Sequence, residues 1–148
     1  MRLHLAHLST EECWTRLSSA TMGRVGITVG ALPIILPVFF GVVEQSVVFR
    51  TATGTKLSAA TAGTVVAFEA DELLPGDDEG WSVVVQGIAR EVTDTDELLR
   101  ARTLPLPAVT AEGRCDRFVA VAARTITGRL VQFGPVGPSA LAKPGRNN

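Results

Sequence analysis

A chain of 148 residues has the length of one domain, and with 46% hydrophobic and 20% charged residues it carries enough apolar side chains for a core, which excludes wholesale disorder. Fourteen basic against fifteen acidic residues leave a formal charge of −1, so no general field draws the chain to nucleic acid or to an anionic membrane. Any anion it holds is held by local groups.

The opening MRLHLAHLSTEECW lacks a long apolar stretch and reaches Glu11 early, which argues against a secretory signal. Ser9 is placed to cap a helix, Glu12 to return the capping-box bond and Leu8 to staple against Cys13. That helix is expected to run to about Ala20, with Cys13, Trp14, Leu17 and Ala20 forming its apolar side. From Gly23 the texture turns to Val, Ile, Thr and Phe, and 24–29, 32–42 and 46–51 read as three successive strands. Val25 to Val43 is nineteen residues without a charge, near the lower limit for a membrane-spanning helix. Pro33 and Pro37 would each remove a helical hydrogen bond, and Gly26, Gly30 and Gly41 weaken a helix further, whereas a Gly30-Ala31 turn accommodates two extended segments. Two buried strands and no membrane span are expected.

A short helix is predicted over 53–62, opening at Thr53-Gly54-Thr55, and a strand over 64–70. An acidic loop from Asp71 to Gly80 follows. Trp81 to Val92 is a long strand with apolar residues on both faces, which suits an interior sheet or a subunit interface. Thr93-Asp94 caps a helix through Ala101, a Pro-bearing loop follows, and 117–125 and 128–133 close the domain, whose expected extent is 8–133. The tail over 134–148 is expected to be mobile. Most connections are too short for helical crossovers, so the fold class is mainly β (α+β), an antiparallel barrel of about six to eight strands with a few short helices.

Elimination narrows the chemistry. The only histidines, His4 and His7, sit ahead of the first helix, where neither a hydrolytic triad nor a three-ligand metal site can be assembled from neighbours. No metal site is expected. Cys13 lies on the apolar helix face as a small core hydrophobe, Cys115 follows a single Arg114, and neither has a CxxC partner, so a reducing cytoplasm is the default compartment. Asp71, Glu72, Asp77, Asp78 and Glu79 lack the oxygen spacing of a calcium loop and read as a solvated turn. There is no tyrosine. Such a chain, if an enzyme, relies on a cofactor for its chemistry, and no catalytic side chain is assigned.

The segment Val47 to Leu57 is the most suggestive. A strand delivers Arg50, Thr51, Thr53, Gly54, Thr55 and Lys56 to a helix start, where backbone N–H groups favour an anion such as phosphate. It is not a Walker A loop, because the Gly-Lys adjacency is absent. An ordinary capped helix with a solvated lysine is the competing reading of the same residues.

Six pieces in unchanged order, LSTEECWTRL, GRVGITVGALPIILPVFF, VVFRTATGTKL, VVAFEADEL, GWSVVVQGIAREVTD and ITGRL, resemble the pyridoxamine 5'-phosphate oxidase-like family of flavin-binding split barrels over about Leu8 to Leu130. The resemblance implies an FMN-dependent oxidoreductase acting on a small molecule, a homodimer with two sites at its interface. It places Arg50, Thr51, Thr55 and Lys56 at the flavin phosphate, and Leu36, Pro37, Val38 and Phe39 along the ring. Similar proteins carry Asn where this chain has Phe39, a departure that removes a side-chain hydrogen bond and leaves the ring edge more apolar. Ser82 matches a polar position facing the ring from across the dimer, and Arg129 a position near the cofactor or the partner. The alternatives the resemblance leaves open are a deazaflavin coenzyme, whose anionic tail calls for further basic residues, and a noncatalytic dimeric module for flavin or haem.

Overall fold

The computed structural model describes residues 2–134 apart from 75, 77 and 112. The expected tail after 134, and Asp77 of the acidic group, lie outside the described residues. In chain order the elements are β1 (Arg2–Leu8), α1 (Thr10–Ser19), β2 (Met22–Val29), β3 (Leu32–Val43), β4 (Ser46–Thr51), α2 (Lys56–Ala60), β5 (Val65–Leu74), β6 (Glu79–Glu91), α3 (Thr95–Arg102), β7 (Val109–Thr110), β8 (Gly113–Arg114), β9 (Arg117–Ala122) and β10 (Thr125–Gly134). The fold is mainly β, as the sequence predicts.

The strands β6, β5, β2, β3, β4 and β9 are antiparallel neighbours in turn, and β9 returns to β6 through Ala89↔Val121 to Glu91↔Val119, which closes a six-stranded barrel. Closure pairs β9 with β6, which would otherwise be left as free edges. The first half of β6 pairs with β10, which in turn carries β1, so the long strand serves both the barrel and a flanking extension. Alternation does the rest: Trp81, Val83, Val85 and Ala89 of β6 point inward and are buried, alongside Val25, Ile27, Phe49, Phe68 and Val121. The rings of Phe40 and Phe68 meet edge to face at 4.7 Å.

Helix α1 starts as the sequence dictates. The Glu12 backbone N–H donates to the Ser9 hydroxyl at 3.1 Å, and the Ser9 N–H donates to the Glu12 carboxylate at 3.2 Å. Cys13 and Leu17 are fully buried beneath the barrel wall, and burial pushes the Cys13 thiol above its ordinary value, which keeps it a neutral core group. Helix α3 closes a second small core, in which Val92, Ala101, Leu106 and Phe118 meet the outer side of β4 and β9. A fork of Arg90 on Glu97 ties this helix to β6, and the hydrogen bond from Arg90 is the main cause that holds the Glu97 carboxyl below its ordinary value. A carboxyl depressed in the folded state contributes stability above its unfolded pKa and loses it as pH falls through the folded value. Glu97→Gln is therefore expected to lower stability at neutral pH by less than about 1 kcal/mol, the pair being partly exposed. In urea unfolding this deficit should vanish as the pH falls below the ordinary carboxylate range.

Several expectations are revised. His4 and His7 lie not in a loose end but in a strand paired with β10 along its whole length, so the sheet extends ahead of Leu8. The acidic stretch is mostly strand: β5 continues to Leu74 and β6 starts at Glu79, leaving a turn of which Gly76 and Asp78 adopt positive φ. Helix α2 has only five residues. The expected Pro-bearing loop contains the short hairpin β7–β8. The two strands expected to be buried are only half so, because the β2–β3 arm projects past the barrel and leaves Ile35 at 73% and Leu32 at 64% exposure. The outward face of β6 is also less enclosed than expected, with Val84 half-buried and Ile88 exposed.

Candidate cofactor cleft

Strand β3 changes partner along its length. Its first part, Leu32 to Phe39, pairs with β2, and its last part, Phe40 to Val43, pairs with β4. The β3–β4 ladder stops at Phe40↔Phe49, so Phe39 and Arg50, the next pair in register, diverge. Pro37 contributes to this parting, because a proline has no N–H to offer a second ladder. Between the separated strands opens a cleft of about 700 Å³, within the usual range for a small-molecule site.

Each wall comes from a different part of the chain. Leu36, Pro37, Val38 and Phe39 form the β3 wall, and among the described pairings the edge they turn to the cleft has no strand neighbour. Arg50, Thr51 and Ala52 at the end of β4, with Thr55, Lys56 and Leu57 at the start of α2, form the second wall. Leu106 and Pro107, then Thr110 and Ala111 of the hairpin, and Cys115 form the third. Leu106 anchors this wall in the second core, and the Cys115 N–H donates to the Ala108 carbonyl at 2.8 Å.

Arg50 joins two walls. Its Nε donates to the Cys115 carbonyl at 3.0 Å while its guanidinium carbon lies 4.7 Å from the centre of the Phe118 ring. Arg50 and Phe118 are cross-strand partners in the β4–β9 ladder, so the register itself sets this stack. Among the described residues neither the Arg50 Nη groups nor the Lys56 ammonium has a hydrogen bond or ion pair, and no carboxylate or imidazole lines the cleft. Two cations without a carboxylate partner among the described residues therefore line one wall of the cleft.

The hydroxyls are differently engaged. Thr55 caps α2 by accepting from the Ser58 N–H at 3.1 Å, and its hydroxyl lies 3.0 Å from the Ala52 carbonyl as a donor. Thr51 and Thr55 hydroxyls are 3.2 Å apart. Each hydroxyl has a single proton, so these threonines shape the wall and the capped-helix reading of the segment holds for Thr55. A five-residue helix also has little dipole to offer, which leaves the side-chain cations as the anion-holding groups.

Of the residues singled out in the sequence, Pro37, Val38, Phe39, Arg50, Thr51, Thr55 and Lys56 all line this one cleft. Ser82 does not. It sits half-buried on the outward face of β6 between Asp71 of β5 and Arg129 of β10. Nearby on that face Arg24 bonds Glu69 at 2.7 Å and Asp71 at 3.3 Å, while desolvation and the Asp71 charge together raise the Glu69 carboxyl above its ordinary value. The third wall, Leu106 to Cys115, was missed, since a Pro-rich loop has no hydrophobic periodicity to read. Its one signal was Leu106 set between Pro105 and Pro107.

A closed antiparallel barrel with a cation-bearing cleft where two strands part defines a split-barrel binding protein. The chain belongs to the pyridoxamine 5'-phosphate oxidase family, whose sequence model matches residues 9–130. An uncharacterized protein of Mycobacterium tuberculosis is 40% identical over 129 residues, covering 84% of each chain. A solved FAD binding protein from Mycobacterium smegmatis is 40% identical with a TM-score of 0.74, covering 86% of this chain and 99% of that one. A Corynebacterium diphtheriae protein of unknown function is 34% identical with a TM-score of 0.66, covering 84% and 96%.

Proposed function

We propose that the chain is a flavin-dependent oxidoreductase that holds FMN noncovalently in the cleft between β3 and β4. The observation that carries this reading is the pair of cations, Arg50 and Lys56, that line one wall of a largely apolar cleft without a carboxylate partner among the described residues. They suit a terminal phosphate, and the flat apolar run from Leu36 to Phe39 suits a ring system. When bound, a flavin supplies reversible hydride acceptance at its reactive nitrogen. The chain's own part is to fix the phosphate, to offer the open edge of β3 to the ring's polar rim, and to exclude water with Phe39, Leu106 and Pro107. The FAD bound by the 40% identical M. smegmatis relative supports FAD as a second reading. Chromatography of the flavin released on heating distinguishes the two.

The active form is proposed to be a twofold homodimer in the cytoplasm. Exposed Leu3, Leu5, Val65, Leu73 and Ile88 give the flanking sheet face an apolar character that suits a second copy. Ser82 and Arg129 share that face and would then lie at the interface. Free Cys13 and Cys115 suit a reducing compartment, and no helix among the described residues is long and apolar enough to cross a membrane.

The test begins with the visible spectrum after FMN is added and the protein desalted. Retention of a perturbed flavin band is the expected result, and a colourless protein with both FMN and FAD overturns the reading. Lys56→Ala is expected to weaken flavin binding roughly 10- to 150-fold, the loss of one charge-assisted contact of about 1.5–3 kcal/mol. Unchanged affinity would remove the phosphate from this end of the cleft.

A further inference from the structure

We infer that two copies of this chain associate through the outer face of the β1-β10-β6-β5 sheet, and that Arg129 of each pairs with Asp71 of the other on either side of a twofold axis running along β6. The inference rests on the homodimer reading above and assigns the contact that sets the axis.

The ladders fix which side chains share that face, because residues paired across an antiparallel ladder point to the same side. His7, Arg129, Ser82 and Asp71 form one transverse row over β1, β10, β6 and β5. The row on one side of it runs Leu5, Val131, Gly80 and Leu73, and the row on the other side runs Thr127, Val84 and Glu69, then on to Arg24 of β2. Leu5 is 53% and Leu73 65% exposed, and the Val65–Ile88 pair continues the same face as a further exposed apolar patch. An open sheet face of this apolar content marks an interaction surface.

Charge selects the partner and the arrangement. Arg24 is shared by two carboxylates, Glu69 at 2.7 Å and Asp71 at 3.3 Å, so one negative charge is left over on the β5 side of Ser82. Arg129 is exposed on the β10 side of Ser82 and makes no ion pair among the described residues. Opposite charges thus stand one strand to either side of β6, as a self-complementary twofold contact requires. An axis along β6 sets each row against itself with its two sides exchanged. Arg129 then meets the partner's Asp71 twice over, Leu73 meets the partner's Val131, and Val84 meets its own copy. Sheets packed face to face stay within about 30° of parallel, so rows near the axis keep these neighbours. An axis across the strands at this row would instead set Arg129 against Arg129 and Asp71 against Asp71, like charges that such an interface excludes. A partner of one sign, such as nucleic acid, would match only one of the two charges.

The test is a charge exchange on the full chain, read by sedimentation velocity with circular dichroism as the check of folding. Asp71→Arg and Arg129→Asp are each expected to weaken the homodimer at least about 100-fold, because either variant alone brings two like-charge pairs together. An equimolar mixture sets an arginine opposite an aspartate at both positions and is expected to form a one-to-one dimer of near wild-type affinity. A pair closed within one chain across Ser82 would gain nothing from mixing. Asp71→Arg also releases Arg24, so Arg129→Asp is followed alone against sodium chloride as well: its dimer should strengthen as salt rises, whereas the wild-type dimer weakens. Folded variants that dimerise singly like the wild type, a mixture of folded variants that stays monomeric, or an Arg129→Asp dimer with the wild-type salt dependence each overturn the inference and leave the homodimer reading intact. A monomeric wild-type chain overturns the homodimer reading and this inference with it.

Discussion

Arg50→Ala is expected to lower flavin affinity on the order of 100-fold or more and to destabilise the fold by about 1–3 kcal/mol, a double effect that Lys56→Ala does not share. Both cations line the same cleft, but only Arg50 is also a structural tie. Removing it leaves the Cys115 carbonyl without its donor, exposes one face of Phe118, and frees the third wall from β4. Arg50→Lys separates the two contributions. A lysine restores the charge but has neither the Nε donor nor the planar surface that stacks on a ring. Flavin affinity should therefore recover in large part while the thermal midpoint stays low. Equal affinity for flavin in the wild-type protein and Arg50→Ala would dismiss Arg50 as a phosphate ligand.

Gly87→Ala is expected to be the most damaging single methyl group for stability. An added Cβ at this point of β6 would stand 2.0 Å from the Ala122 carbonyl oxygen and 3.1 Å from its carbon. The obstacle is backbone, so no rotamer change relieves it. Ala122 is the last residue of β9, paired with Ser46, and the chain then turns a corner held by the Arg124 N–H on the Gln86 carbonyl at 2.8 Å. Yielding at this corner would disturb the place where β6 passes from β10 to β9, hence the closure of the barrel. A cost of about 3 kcal/mol, the upper part of the range for overpacking, is expected, a large fraction of the roughly 5–15 kcal/mol that holds a domain together. Gly26→Ala is the control. Its nearest contact would be 3.7 Å from the Ala67 carbonyl oxygen, and it should shift the urea midpoint little. Equal midpoints for the two variants would show that the corner is softer than its geometry implies.

What the sequence determined by itself was whatever depends on neighbours along the chain. Ser9 and Glu12 name the start of α1 because a capping box closes within four residues. Gly30 marks the turn between β2 and β3 at φ 61°, a conformation that costs glycine little. Pro33 and Pro37 argue against a membrane helix by their own local chemistry. Arg50 to Lys56, and Pro37 to Phe39, are legible as candidate cofactor segments because the ordered family pieces run through them. Only the tertiary structure decided that these segments face each other, because the gap between them opens where a ladder ends at Phe40↔Phe49, and no local signal records where two strands stop pairing. The same holds for the third wall: Cys115 reaches Arg50 across 65 positions because β4 pairs with β9, and Leu106 is fixed by a core that α3 completes. Ser82 was legible as a strand residue, yet its side of the strand, and so its absence from the cleft within one chain, follows from the register of β6 against β5 and β10. Register is a collective property of the closed barrel, in which shifting one strand by a residue would turn all its buried side chains outward.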